Sequence, residues 1–522
     1  MKNSEVGQVD SLNKRYAFKV VTNICGFIIN ILMSLIVPRG LGPRTYGDYN
    51  FLTNFFSQLL AFFEMGTSTA YYTKLSQRQG DTDLVKFYGL CVVLISLAVI
   101  LFVIIASGSL FRNIIWPDQE VFFICLAAGL GIVLWLSNIL NQMMDAYGLT
   151  VDGEKVKLVQ KGFGLVLLAF LFFTQLLDLK TYFIFNYIVW IGLCLSFFWF
   201  IRKKFHSLLN GYRTLSWETL RNYTKEFYLF SHPLFVLSLI GFIANIFDRW
   251  LLQYVSGSSQ QGFYGLSYQV GALCFLFTGA MSPLIAREFA IAFDKDDLNH
   301  MRYLFRRYIP LLYVISAYFA CFIAVQADKV IWFMGGNAYR EALMAVAIMS
   351  FYPIHQTYGQ LTGSVFLAAG KTSLYRNLGI SFLLAGIPLT YIFIAPTERM
   401  GLDAGATGLA CKMVIVNVLS VNVALYFAAR ILSLNFWEYL GHQILVIATM
   451  VIMAFISVYT VDHWLVLGNK LFCSFIIAGI IYSAGLAGFA FAYPRLFGLQ
   501  RNDIQRLLDI TESFLKSKKR GR

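Results

Sequence analysis

Residues 16–49 read YAFKVVTNICGFIINILMSLIVPRGLGPRTYGDY. An apolar run with Lys19 as its one charge ends at Pro38. A short Pro, Gly and Arg junction follows, and a second apolar run opens at Tyr46. About 20 apolar residues in a helix cross roughly 30 Å of hydrocarbon. Proline and glycine together break a helix, so this stretch reads as two spans joined by a tight turn. The same unit recurs along the whole chain. Spans are expected at 16–38, 46–70, 84–107, 119–143, 156–176, 181–201, 228–252, 262–287, 304–327, 341–369, 373–395, 404–430, 438–460 and 468–492.

Composition agrees. The 522 residues are 58% hydrophobic and 13% charged, and the mean hydropathy is +0.64. A soluble domain of this length has no core large enough for that much apolar surface. A β-barrel would show alternating strands of about 10 residues instead of continuous runs. The expected fold is an all-α polytopic membrane protein of about 14 transmembrane helices. The first run is too long for the apolar region of a cleavable signal peptide. The eight cysteines all fall inside apolar runs, with no CxxC and no histidine cluster, which points to packing. Neither a metal nor a cofactor is expected.

An even number of spans puts both termini on one side. About 31 of the 42 Lys and Arg fall on that side and about 9 on the other. The positive-inside rule then makes the termini cytoplasmic. Residues 202–227 carry Arg202, Lys203, Lys204, Arg213, Arg221 and Lys225 in a cytoplasmic loop, and the tail ends with Lys516, Lys518, Lys519, Arg520 and Arg522. Orientation and attraction to anionic lipid account for the net charge of +14, so no nucleic-acid partner is needed. The external loops are all short, leaving no room for a catalytic domain.

The chain echoes itself at an offset of 217–218 residues. Tyr46-Gly47-Asp48-Tyr49 maps on Tyr264-Gly265-Leu266-Ser267-Tyr268, Asp152-Gly153 on Ala369-Gly370, Gly162 on Gly379, and Gln160 on Asn377. Six helices therefore repeat as six more in parallel, a design that places a substrate site between the halves. The expected organisation is a tail (1–15), an N-lobe of helices 1–6 (16–212), a C-lobe of helices 7–12 (213–431), helices 13–14 (432–495) and a basic tail (496–522).

Pro38-Arg39-Gly40-Leu41-Gly42-Pro43 with Tyr46-Gly47-Asp48-Tyr49 resembles the helix 1–2 junction of polysaccharide transporters. These are the Wzx-type O-antigen and capsule flippases of the MOP exporter superfamily, which also holds MATE drug exporters and lipid II flippases. Asp248-Arg249 followed by Gly262-Phe263-Tyr264-Gly265 is similar to the second-half counterpart, and Gly401 to Gly408 before helix 12 is also similar. The resemblance implies two pseudo-symmetric six-helix lobes around a cavity lined mainly by helices 1, 2, 7 and 8. It implies a bacterial inner-membrane flippase that moves an undecaprenyl-pyrophosphate-linked oligosaccharide from the cytoplasmic to the outer leaflet. Its partners would be that lipid-linked oligosaccharide, membrane lipids, and the polysaccharide polymerase and export machinery.

Polar groups inside spans are costly and usually face a cavity or a partner helix. Lys19, Asn23, Asn30 and Ser34 fall within about 60° of arc on helix 1. They read either as a sugar-phosphate face or as glue between helices. Asn54 and Gln58 share a face of helix 2, and Glu64 near its end is a coupling-ion candidate or an interfacial carboxylate. Asp248 and Arg249, expected to end helix 7, and Arg287 and Glu288, ending helix 8, read as gating residues or ion pairs. Asn245 extends the Arg249 face. Lys412 reads as the deepest basic residue, roughly 12 Å along helix 12, and is a cavity candidate. His355, expected at mid-span beside Pro353, either titrates or is structural. Tyr46, Tyr49, Tyr264 and Tyr268 lie on helices that line the cavity in the resembling family, with rings suited to stacking on sugar. Pro283, Pro310, Pro353 and Pro388 are expected bend points.

Three classes of function compete. A flippase accounts for the repeat and the amide-rich first helix. A cation-coupled exporter of the MATE type shares the fold but usually has twelve helices and a more apolar cavity. A membrane glycosyltransferase or polymerase would need an external loop or an acidic cluster that the sequence lacks.

Overall fold

The computed structural model describes residues 12–204, 215–232, 235–464 and 471–499. Every regular element among them is helical. The order is α1 (Leu12–Glu64), α2 (Thr67–Gln77), α3 (Thr82–Ala106), α4 (Ser109–Ile115), α5 (Val121–Ala146), α6 (Thr150–Phe173), α7 (Leu179–Lys204), α8 (Trp217–Ser231) and α9 (Phe235–Cys274). Then come α10 (Leu276–Asp294), α11 (Leu298–Val325), α12 (Ala327–Met334), α13 (Leu343–Met349), α14 (Tyr352–Ala368), α15 (Thr372–Ile394), α16 (Gly405–Ile431), α17 (Phe436–Trp464) and α18 (Leu471–Ala492). Ten helices among the described residues are long and apolar enough to cross a membrane. Two long helices each contain a break. Gly42 in α1 has φ 74° and Gly257 in α9 has φ 78°, so each divides one continuous rod into two spans. With α9–α10 and the broken α13–α14 counted by span, all fourteen expected segments have helical counterparts.

The chain divides into two compact units, residues 1–262 and 263–522. Unit one is cored on Trp116, which is fully buried beneath Phe55, Phe56 and Phe102 at ring separations of 5.3–6.0 Å. Its outer faces are apolar. Val93, Leu97, Ile100 and Ile104 of α3 are exposed at helical spacing, as are Val159, Phe163, Val166, Phe170 and Phe173 of α6. In lipid such faces carry no penalty, so polar groups gather inward.

Unit two is cored on Tyr313, Tyr358 and Phe305. Here α17 and α18 are tied to the other helices by polar bonds as well as packing. Tyr482 Oη donates to the Tyr318 carbonyl (3.0 Å), and Tyr318 Oη lies 2.6 Å from Ser483 Oγ. Gln443 and Asn422 form a reciprocal amide pair at 3.0 and 3.4 Å. Buried Lys329 donates to Ser474 Oγ (2.9 Å) and pairs with Asp462 at 3.5 Å. Bonds of this kind hold helices together where lipid removes the hydrophobic drive.

Several boundaries differ from the expectation. Helix 2 stops at Glu64, because Met65 and Gly66 take left-handed φ and start α2 in a new direction. The expected single span 341–369 is a 3-10 turn (Asn337–Ala342), then α13, then α14. Pro353 sits in the first turn of α14, where its missing N–H costs nothing, so it starts a helix and does not bend one. The helix holding Asp248 and Arg249 continues to the Gly257 break, so the pair lies inside a span and not at its end. Arg287 and Glu288 likewise precede the end of α10 at Asp294. The pairing of Gly153 with Gly370 fails locally. Gly370 has φ 65° after α14, but the corresponding turn after α5 is made by Gly148 (φ 73°), and Gly153 is helical.

Part of the stretch expected as a loop, 202–227, is α8. Ser216 caps it by accepting from the Thr219 amide, and Glu218 sits favourably in the first turn. The helix docks on unit one through charge. Glu226 accepts from Lys74 and from Arg78 (2.9 Å), and Tyr223 Oη donates to Asp81 at 2.7 Å. Partial burial raises the Glu226 pKa, but the hydrogen bond and charge of Lys74, with Arg78, outweigh it and hold the carboxyl below its usual value. A depressed carboxylate contributes stability above the unfolded pKa of about 4.3 and loses it as pH falls through the folded value. Glu226→Gln should therefore lower the melting temperature at neutral pH by an amount set by roughly 0.2–1 kcal/mol. Melting of the full chain in detergent checks this: the gap to wild type should close below about pH 4, and a gap that persists at acid pH contradicts the charge argument.

Candidate transport site

The break at Gly42 turns the chain into the segment Pro43–Tyr49, and the break at Gly257 does the same for Ser258–Gly262. Within unit one these two turns meet. Gly47 lies against the Ser258 carbonyl and the Gly262 amide, and Gly262 lies against the Pro43 carbonyl. A β-carbon at either glycine would overlap main chain, so neither position has room for any other residue at this spacing. Above this backbone contact sits a polar clasp. Asp48 Oδ1 accepts from Ser258 Oγ (2.5 Å) and Gln119 Nε2 (2.6 Å). Gln253 Nε2 donates to Ser258 Oγ at 2.9 Å and to the Pro117 carbonyl at 3.3 Å. Arg249 donates to Gln261 Oε1 (3.2 Å), and the Gln261 amide returns a bond to the Arg249 carbonyl. Asp248 beside it is buried. Tyr46 and Tyr49 do not project freely: Tyr46 is buried, and Tyr49 packs edge-on to Tyr182 at 4.6 Å.

One arm of the clasp continues as a polar face. Asn245 Nδ2 donates to Gln58 Oε1 at 3.4 Å, and Asn54 Oδ1 is buried with no hydrogen-bond partner among the described residues. Farther along α1, Glu64 borders a cavity of about 260 Å³ with Thr53, Ser57, Trp135 and Asn138. Trp135 Nε1 donates to Glu64 Oε2 (2.7 Å), while Ser68 bonds Glu64 Oε1 through both its amide and its hydroxyl. The carboxylate is thus a cap for α2 as well as a cavity wall.

On the first half of α1, the side chains of Lys19 and Asn23 lie outside the described residues. Asn30 is exposed, and Ser34 donates back to the Asn30 carbonyl at 2.7 Å, so its hydroxyl serves its own helix. The basic groups at this level come from a helix that the sequence reading passed over. Glu154 of α6 is buried, accepting from Thr22 of α1 (3.1 Å) and from Lys157 (2.5 Å). Lys161, one turn farther, runs across Gly26 of α1, where a side chain would collide with its ammonium. Lys161 is about 16 Å along α6 at 1.5 Å per residue. The signal was present. Glu154, Lys157 and Lys161 follow the three- and four-residue spacing of one helical face.

In unit two, Lys412 is buried with its stem and ammonium against Gly386 of α15. His355 is buried edge-on to Tyr313, with Nδ1 unpartnered among the described residues. Tyr268 is exposed and lies 6.4 Å from Tyr264 and 6.5 Å from Tyr352. Arg287 and Glu288 are both exposed on α10.

The chain is an all-helical, multi-pass membrane protein among its described residues, with two broken helices. Residues 14–289, just over half the chain, match the polysaccharide biosynthesis protein family, and the chain belongs to that family. Among solved structures it resembles the lipid II flippase MurJ in an inward closed conformation, with TM-score 0.66 and 14% identity over 92% of this chain and 99% of that one. An inward-facing multidrug resistance MATE transporter matches with TM-score 0.61 and 16% identity over 78% of this chain and 94% of its own. A MOP superfamily transporter from Pyrococcus furiosus gives 0.54 and 15% over 80% and 96%. No curated protein matches the sequence.

The contact at Gly47 makes a direct prediction. With Ser258→Cys placed in a background free of other cysteines, a polar maleimide should label the introduced thiol slowly. Adding Gly47→Val, which overpacks the contact by about 1–3 kcal/mol, should raise the labelling rate several-fold. An unchanged rate contradicts the clasp.

Proposed function

We propose that this protein is a flippase that carries an undecaprenyl-pyrophosphate-linked oligosaccharide from the cytoplasmic to the outer leaflet of the bacterial inner membrane, with both termini cytoplasmic. The reading is supported by the polar and basic residues on the spanning helices of unit one: Lys157 and Lys161 on α6, Asn54 and Gln58 on α1, Asn245 on α9, and the clasp. A sugar diphosphate cannot enter hydrocarbon unaided. It needs cations for the diphosphate and amides for the hydroxyls, both supplied where water is scarce. Family membership in polysaccharide biosynthesis supports the substrate class. The lipid II flippase structure matches over 92% of this chain, whereas the MATE structure matches over 78%. The lysine excess on the side of the termini supports the orientation.

In this reading Lys161, Lys157 and Lys19 attract the diphosphate, and Asn23, Asn30, Asn54, Gln58 and Asn245 bind sugar. Tyr268 and Lys412 remain substrate-contact candidates within unit two. The clasp at Asp48, Ser258 and Arg249, beside Asp248, is the gate that opens toward the outer leaflet, and Arg287 and Glu288 on α10 are further gating or ion-pair candidates. Glu64 and His355 are the candidate sites for a coupling ion. Export requires a polymerase and export machinery downstream, because a flipped oligosaccharide must be joined and moved on.

Full-length protein in vesicles loaded with lipid-linked oligosaccharide tests the proposal. Leaflet transfer should occur, and Lys161→Ala should slow it about tenfold, as expected for a lost charge-assisted bond. Wild-type rates in Lys161→Ala contradict the basic-lining argument. Efflux of organic cations with no lipid transfer contradicts the flippase reading altogether.

A further inference from the structure

A second basic cavity lies in unit two, on elements that the transport proposal does not use. It has a volume of about 870 Å³ and sits at the N-terminal ends of α11 and α17, where the 3-10 turn Pro494–Phe497 follows α18. Arg302, Arg306 and Arg307 of α11 line it, together with Arg495 of the turn and His442 of α17. Glu438 is the one carboxylate among its lining residues. The cluster thus carries a surplus of three positive charges.

The cavity is built and not a chance gathering of side chains. Arg302 Nε donates to the Leu432 carbonyl (2.7 Å) and its Nη1 to Asn299 (2.8 Å), so the guanidinium is fixed with donors to spare. Arg307 donates to the Gly498 carbonyl at 3.3 Å, and His442 Nε2 lies 2.8 Å from the Leu496 carbonyl. These two bonds pin the turn as a third wall. Arg306 bonds the Tyr439 hydroxyl on the facing helix. Arg306 and Arg495 themselves are exposed.

The aromatic residues nearby point to the occupant. Tyr303 lines the cavity and is 53% exposed, and Trp437, adjacent in sequence to Glu438, and Tyr493, two residues before Arg495, are 72% and 61% exposed. Tyrosine and tryptophan concentrate at the level of lipid head groups, with the ring in the acyl boundary and the polar edge in water. A basic cavity between helices at that level has the chemistry of a phospholipid head-group site. Four guanidiniums spread over this volume exceed what one phosphate engages, since a single phosphate is matched by one or two arginine forks. We propose that this cavity binds an anionic phospholipid whose head group carries two phosphates, clamping α11 to α17 and α18. The inference does not depend on what the protein transports.

Binding of cardiolipin to the full-length protein, purified in a neutral detergent, tests it by native mass spectrometry and thermal stabilisation. Arg306→Gln/Arg495→Gln removes two exposed guanidiniums and keeps the structural bonds of Arg302 and Arg307. This variant should bind cardiolipin about tenfold more weakly and lose its stabilisation, while Arg306→Lys/Arg495→Lys falls between. Lys371→Gln/Arg376→Gln, an equal loss of charge elsewhere on unit two, should bind as wild type. Undiminished binding by Arg306→Gln/Arg495→Gln, or an equal loss in Lys371→Gln/Arg376→Gln, overturns the site. Phosphatidylglycerol binding as tightly as cardiolipin overturns the two-phosphate assignment. Displacement of cardiolipin by equimolar inorganic pyrophosphate overturns the lipid source.

Discussion

The structure depends on one constraint: inside hydrocarbon every main-chain N–H and C=O must find a partner within the protein. A spanning helix satisfies this automatically and is for that reason rigid. A chain that must change shape within the membrane needs breaks, and each break strands backbone groups unless something covers them. Here the segments that follow the two breaks, at Gly42 and Gly257, lie against each other. The turns that follow them meet backbone to backbone at Gly47 and Gly262, and Asp48, Ser258, Gln119 and Gln253 seal the contact. The network joins neutral and singly charged side chains through hydrogen bonds beside a main-chain contact.

The same constraint explains why so much of the fold was legible in the sequence. Spans must be long, apolar and helical, so composition and run length give their number and approximate limits without tertiary information. What was not legible shows where tertiary context decides. The sequence 202–227 looks like a charged loop because its basic residues hide the apolar face of α8, on which Phe227 is buried against Phe87 and Tyr88. It is held by Glu226, Lys74, Arg78 and the Tyr223–Asp81 bond, contacts with residues about 150 positions away. Pro353 resembled a mid-span bend because nothing in the local pattern reveals that α13 ends at Met349.

The candidate site was less legible than the fold, for a physical reason. A polar residue within a span has three outlets: a cavity, a neighbouring helix or its own backbone. Ser34 takes the last, donating to the Asn30 carbonyl. Gln443 and Asn422 take the second. Only three-dimensional placement separates these from Asn54, whose carbonyl oxygen is buried with no partner among the described residues. Lys161 escaped notice because a lysine near the expected start of a span reads as an orientation signal. Its position against Gly26 shows that the small residue on α1 and the long one on α6 belong together. The stretch Pro38–Tyr49, which carries the resemblance, holds the first break: Gly42 turns the chain, Gly47 permits the contact, and Asp48 bonds Ser258.

If the contact between the two broken helices opens during transport, spin labels at Arg44 and Ser259, both outside the bonded clasp, should report it. Pulsed electron resonance on full-length protein in lipid nanodiscs should give a short separation and a second, longer one, whose share changes when lipid-linked oligosaccharide is added. A single separation, identical with and without that lipid in protein that still transfers it, would rule out an opening joint.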